Sequence, residues 1–166
     1  TIFHRAAEDV LGEFVVQGGG FAPEDITTTE LNEILSSQID TDSPINESEG
    51  GRSNERGTVS MAENSFGATS QWFVNMRNNP SLDSQFKVFA VVLDMSNVDG
   101  IAALPVTDLD GDSASNVVFN HVPYTAEAEL VHVQSLSGFG WVQGTVFDDL
   151  NGNGQRDTGE PGMADV

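Results

Sequence analysis

Hydrophobic positions along the chain fall in short runs of strand-forming residues, broken every few positions by turn formers. Phe14-Val15-Val16 is the first run, and it ends in Gly18-Gly19-Gly20, where the backbone can turn or approach a neighbour closely. Thr1–Phe21 therefore reads as strand, loop, strand. Gly57–Ala62, Gln71–Asn75 and Lys87–Leu93 read as further strands, with turn-rich Asn78–Ser84 before the last of them. Val117–Phe119, Glu129–Val133 and Trp141–Phe147 continue the series. Helical spacing is scarcer. Leu31, Ile34 and Leu35 carry it within Thr29–Ile39, and Val98, Ile101 and Ala102 carry it within Ser96–Leu104, which Pro105 stops. Many short strands with one or two short helices predict a mainly β fold, a barrel or a sandwich.

Composition narrows the possible roles. The chain has 166 residues, 38% of them hydrophobic, with ten Phe and two Trp, enough apolar bulk for a core. It carries 26 Asp and Glu against 6 Lys and Arg, a formal charge of −20. That balance excludes nucleic acid and anionic membrane surfaces as main partners, because phosphate binding needs clustered cations. The six cations (Arg5, Arg52, Arg56, Arg77, Lys87, Arg156) are scattered. Nine acids lie in the loop-like Ala22–Arg56 connection. Cysteine is absent, so disulfides, thiol catalysis and Cys-ligated zinc are excluded. The longest apolar run, Val88–Leu93, is far short of the roughly 20 residues that span a bilayer. The chain starts at Thr1 without an initiator Met, which reads as an internal piece of a longer protein.

Four blocks occur in a telling order: Phe3-His4-Arg5 with Phe14-Val15-Val16-Gln17-Gly18-Gly19; Arg56-Gly57-Thr58-Val59-Ser60-Met61-Ala62; Thr69-Ser70-Gln71-Trp72-Phe73-Val74; and Leu82-Asp83 with Phe86-Lys87-Val88-Phe89. Together they resemble the cyclophilin family of peptidyl-prolyl cis–trans isomerases, from about Thr1 to about Ser135. The resemblance implies an eight-stranded β-barrel with short helices and a site on its outer face. Its first two strands have no counterpart, because only Thr1-Ile2 precede the first block. It places the catalytic arginine on Arg5, with Phe14 and Gln17 beside it, and substrate-binding positions on Val15, Ala62, Gln71, Phe73, Leu82 and Phe86. There are departures. Four extra residues separate Arg5 from Phe14, Val15 stands where many members have Met, and Ser81 and Phe86 replace a common Trp and His. Glu63 follows Ala62 where Asn is common, at a position thought to act through its backbone.

The residue types suit that chemistry. Amide resonance sets a rotation barrier of about 18–20 kcal/mol. An X–Pro bond therefore isomerises unaided in tens to hundreds of seconds. Neither a nucleophile nor a cofactor is needed to speed it. A permanently protonated guanidinium near the prolyl nitrogen favours the twisted state, and an apolar cup holds the ring. Taken singly, Phe14 and Phe73 read as core residues and Arg5 as a solvated charge; His4 reads as a packing residue. Only the joint pattern lifts Arg5 and the phenylalanines above those priors.

A second constellation lies in the tail. Asp149, Asn151, Asn153, Gln155, Asp157 and Glu160, with Gly154 at the sharp turn, follow the spacing of a calcium-binding loop. The flanks are wrong for an EF-hand, since strand-like Trp141–Phe147 precedes the loop and Pro161-Gly162 follows it. The stretch from Gly144 resembles the start of the B-type calcium-binding β-sandwich repeats of bacterial serine–aspartate-repeat surface proteins. Asp108-Leu109-Asp110-Gly111-Asp112 lacks the closing Glu and reads as a solvated turn.

The expectation is thus two domains: a cyclophilin-like isomerase over 1–136, N-terminally incomplete, and a truncated calcium-binding β module over 137–166. Expected partners are proline-containing peptides or unfolded proteins, met by a monomeric domain of a larger extracellular or surface-anchored bacterial chain. No cofactor is expected for isomerisation, and Ca²⁺ for the tail. Two rival readings stay open: a proline-peptide binding module without turnover, and a structural piece of a calcium-binding adhesin.

Overall fold

The computed structural model describes residues 1–39, 51–64, 67–109, 111 and 119–133. The chain divides into two units, Thr1–Gln134 and Ser135–Val166, and the second lies outside the described residues. The predicted strand Trp141–Phe147 and every proposed calcium ligand fall there.

The first unit is mainly β. Strands β1 (Phe3–Asp9), β2 (Gly12–Gly19), β3 (Thr58–Asn64), β4 (Gly67–Asn75) and β5 (Val88–Val91) form an antiparallel sheet in the order β1-β2-β4-β3-β5. A smaller sheet pairs β6 (Val106–Thr107) with β7 (Val122–Pro123). Helices α1 (Leu31–Ser36) and α2 (Ser96–Ala102) are short. Among the described residues the large sheet does not close, so the expected eight-stranded barrel is corrected to an open five-stranded sheet with a two-stranded companion. Its β1 edge is nonetheless occupied. The Phe3 amide donates to the Val131 carbonyl (2.8 Å), the Ala6 amide to His121 (2.8 Å) and the Val133 amide to Thr1 (2.9 Å). A backbone edge that finds such partners is no longer open to another chain.

Glu129–Val133 is not a strand. It makes only isolated bridges, Leu130 to Tyr124 and His132 to Ile2, because its partners lie on different segments. Val117 and Val118 lie outside the described residues, as do Asp110 and Asp112; Gly111 donates its amide to Asp108. The helix over Thr29–Ile39 shortens to α1, which buries Ile34 and leaves Leu35 exposed. So short a helix holds only through its docked face.

Alternation along β2 sorts its side chains to two buried faces. Val16 points with Val59, Val74 and Met76 toward Val98 of α2. Val15 points the other way, with Ala7 and Phe73, toward Phe14, Ala62, Leu82 and Phe86. A third cluster (Ile2, Phe21, Ile34, Phe119, Val122, Tyr124 and Leu130) ties α1 and β7 to the start of the chain. The site lies on the Val15 face.

Candidate active site

Register builds the centre of the site. Arg5 pairs with Gln17, and Gln17 pairs with Phe73, so these three sit side by side on adjacent strands. Directly opposed residues of an antiparallel pair share a face. One row across β1, β2 and β4 thus presents a cation, an amide and an aromatic ring together. The chain places Arg5 and Phe73 68 positions apart in sequence, and only strand pairing makes them neighbours.

That row faces an open cavity of about 180 Å³, lined by Arg5, Phe14, Val15, Gln17, Ala62, Glu63, Phe73, Leu82 and Phe86. Eight of the nine expected site residues line it, Gln71 being the exception. Gln71 instead accepts a hydrogen bond at its Oε1 from Gln17 Nε2 (2.9 Å). Gln17 in turn accepts from Arg5 Nη1 through its Oε1, at a long 3.4 Å. Gln71 therefore orients Gln17, and Gln17 orients Arg5. Phe86 stands edge-on to Phe73, centroids 5.3 Å apart at 83°, a favoured aromatic geometry.

Burial shapes the electrostatics. Arg5 is half-buried, and its buried Nε has no hydrogen-bond partner among the described residues. Desolvation holds its pKa below the usual arginine value, yet a guanidinium stays protonated in proteins. The result is a cation facing the cavity with spare donors. His4, next in the chain, faces away and is fully buried, packed against Phe21 (5.3 Å) and Phe119 (5.8 Å). Desolvation, with help from the neighbouring Arg5 charge, pushes its pKa down to about 4. Gln71 and the Gly19 backbone favour the imidazolium slightly, but neither ring nitrogen forms a well-aligned hydrogen bond. The imidazole is neutral packing material.

A buried amide network supports the cavity wall. Asn54 donates its amide (2.7 Å) and its Nδ2 (2.9 Å) to the Asp83 carboxylate and its Nδ2 to the Phe86 carbonyl (3.1 Å). Asn54 Oδ1 accepts from Ser60 Oγ (2.7 Å) and Asn75 Nδ2 (3.1 Å). Asn79 Nδ2 donates to Asn75 (2.8 Å) and to the Phe14 carbonyl (3.3 Å). The backbone amide of Asn54, with its side chain and the Ser53 hydroxyl, holds the Asp83 carboxyl below the usual range. The network grips the chain at Phe14 and on both sides of the Leu82–Phe86 loop, so it sets the positions of three cavity residues. Arg77 adds a clamp, its guanidinium 5.2 Å over the Phe14 ring and its Nη1 donating to the Gly12 carbonyl (3.2 Å).

Asn54, Asn79 and Arg77 carry parts of this site that the sequence pattern did not assign, and Glu63 was expected to act only through its backbone. Asparagines in strand-and-turn segments look like ordinary turn formers, so their sequence gives no signal of a shared interior.

Comparison with known proteins gives the context. Residues 1–124 match the family described as cyclophilin type peptidyl-prolyl cis-trans isomerase/CLD. This chain belongs to that family. As a cyclophilin-type chain it is 39% identical over 116 residues to a peptidyl-prolyl cis-trans isomerase of Acinetobacter baylyi, covering 64% of this chain and 54% of that protein. It is 42% identical over 86 residues to peptidyl-prolyl cis-trans isomerase A of Dickeya dadantii, covering 50% and 37%. With peptidyl-prolyl cis-trans isomerase B of Escherichia coli it shares 37% over 113 residues, covering 61% and 60%. The cyclophilin-type chain thus spans about half the length of these relatives.

Proposed function

We propose that this chain catalyses cis–trans isomerisation of X–Pro peptide bonds without a covalent intermediate. The observation that carries the reading is the Arg5–Gln17–Phe73 row facing an apolar cup in a cyclophilin-type domain. Phe14, Phe73, Leu82 and Phe86 take the proline ring by apolar contact. The Arg5 guanidinium donates toward the prolyl nitrogen as its lone pair leaves resonance with the carbonyl. The donor is bound more strongly in the twisted state than in the planar one, and that difference is the catalysis. Gln17 fixes the guanidinium beforehand, so little reorganisation is left for the reaction step. The substrates are proline-containing peptides or unfolded chains, and the domain acts as a monomer within a larger protein.

A protease-coupled assay on an X–Pro peptide tests this. Arg5→Ala is expected to lower kcat/KM by about a hundredfold, the typical worth of one preorganised donor. Equal rates for the two proteins would remove Arg5 from catalysis. Binding of proline peptides without any rate enhancement would favour the non-catalytic binding module.

A second element concerns 137–166. The oxygen-ligand spacing Asp149, Asn151, Asn153, Gln155, Asp157 and Glu160 supports a calcium-binding β module there, and hence an extracellular or surface location. The acidity of the whole chain agrees with an exported, salt-exposed protein.

A further inference from the structure

Alternation along a strand sends Ala62 and Glu63 to opposite faces, yet both line the cavity. The ladder between β3 and β4 is irregular at this point. Met61 pairs with Trp72, but Glu63 pairs with Ala68, so two steps along β3 match four along β4. Such irregularities gather beside active sites. Glu63 lies at this one and lines the cavity. Among the described residues Glu63 is the one acidic residue lining that cavity, and Arg5 the one cationic residue. They remain separate. Among the described residues the Arg5 guanidinium leans on Gln17, and no ion pair or hydrogen bond engages the Glu63 carboxylate. Glu63 is half-buried, so its charge is less screened than that of a fully exposed acid.

We propose that Glu63 is a specificity-determining residue that selects substrates carrying Lys or Arg beside the proline. The inference rests on the isomerase reading above. The cavity has room for about one ring, so the proline fills it and the flanking side chain is left at the rim. A carboxylate there attracts an ammonium or guanidinium and repels a second carboxylate. The net charge of −20 draws cationic peptides in from all sides, but it does not act at one residue. Arg5 opposes Glu63 and would favour acidic neighbours, so the wild-type preference is the balance of the two charges and the Glu63 variants isolate its share.

The test compares three otherwise identical proline peptides, with Lys, Ala or Glu next to the proline, on wild type, Glu63→Gln and Glu127→Gln. Glu127 lies exposed in the turn before Leu130, outside the cavity, and removes the same unit of charge. Both kcat/KM and peptide affinity by fluorescence anisotropy are measured at low and high salt. Wild type is expected to favour the Lys peptide over the Glu peptide by roughly fivefold, the range of a part-exposed ion pair. Glu63→Gln should erase most of that ratio, Glu63→Lys should invert it, and Glu127→Gln should keep it. Salt should shrink the ratio in wild type only in part. Equal ratios in wild type and Glu63→Gln, or an equal loss in Glu127→Gln, would overturn the proposal. Rates no faster than the uncatalysed reaction, with the affinity ratio intact, would instead overturn the isomerase reading and leave Glu63 as the selector.

Discussion

Single residues on the two sides of β1 behave in opposite ways. Arg5 keeps its charge because a guanidinium holds its proton even when half-buried. His4 loses its charge because an imidazole begins near neutrality, and full burial disfavours the cation. The consequence for stability has a definite sign. The folded pKa of His4 is about 4, below the ordinary 6.5 that the unfolded chain shows. Between those values the unfolded state binds a proton that the native state refuses, so stability falls as pH drops from 6.5 toward 4. The loss is of order 3 kcal/mol by the lower end. His4→Phe, which keeps an aromatic ring against Phe21 and Phe119, should flatten this slope in urea denaturation measured between pH 6.5 and 4.5. An unchanged slope would mean that His4 is protonated, or partnered, in the native protein. Asp83 also contributes to acid sensitivity, but a carboxylate with a lowered pKa loses its part only as pH falls through that value.

At the scale of elements, the β1–β2 hairpin and the Gly18–Gly20 run decide whether the site assembles. Gly19 and Gly20 both adopt positive φ, +82° and +76°. A Cβ on Gly19 would meet the Ser70 carbonyl, and one on Gly20 would lie 2.6 Å from Gln71 Cγ. The glycines let β4 approach β2 closely enough for Gln71 to reach Gln17. Gly19→Ala should therefore cost about 3 kcal/mol and lower activity as well, read as melting temperature and kcat/KM. Gly12 offers a comparison, with φ +97° but nothing within 4 Å of an added Cβ. Gly12→Ala should cost only about 1–2 kcal/mol, from the backbone alone. Similar losses at the two sites would refute the close-approach account. The hairpin tip, Val10 and Leu11, is exposed.

The strand readings at Gly57–Ala62, Gln71–Asn75 and Lys87–Leu93 correspond to β3, β4 and β5, because alternating and continuous apolar runs are local signals. β6 and β7 were not legible: each is two residues long, and Pro123 is a poor strand former. The site divides the same way. Arg5, Phe14, Val15, Gln17, Ala62, Phe73, Leu82 and Phe86 were legible as a family pattern, and they line one cavity. Glu63 was legible only as a position acting through its backbone, since what lines a cavity depends on how the strands pack. Asn54 and Asn79 were not, since a hydrogen-bond network depends on which side chains are shut away from water together.

For the whole molecule, the charge of −20 is the dominant long-range quantity. Self-repulsion favours solubility and opposes compaction, so any added cation raises stability somewhat by screening. A calcium test must separate that general effect from a site. At matched ionic strength, millimolar Ca²⁺ should raise the melting temperature by a few degrees more than Mg²⁺, because binding to the folded form adds to screening. Asp149→Ala with Glu160→Ala should abolish the difference. No difference between the two ions would remove calcium from the 137–166 segment.

The sequence by itself determined the mainly β class, the positions of the longer strands and eight residues that line one cavity. The class and the strands follow from local periodicity, and the site residues from the order of four blocks that resembles one family. Tertiary structure alone decided that the sheet stays open among the described residues, that Gln71 hydrogen-bonds Gln17, and that Glu63 lines the cavity. Each of those depends on register between strands far apart in sequence. Register is fixed by packing and pairing of the whole sheet, which no local pattern encodes.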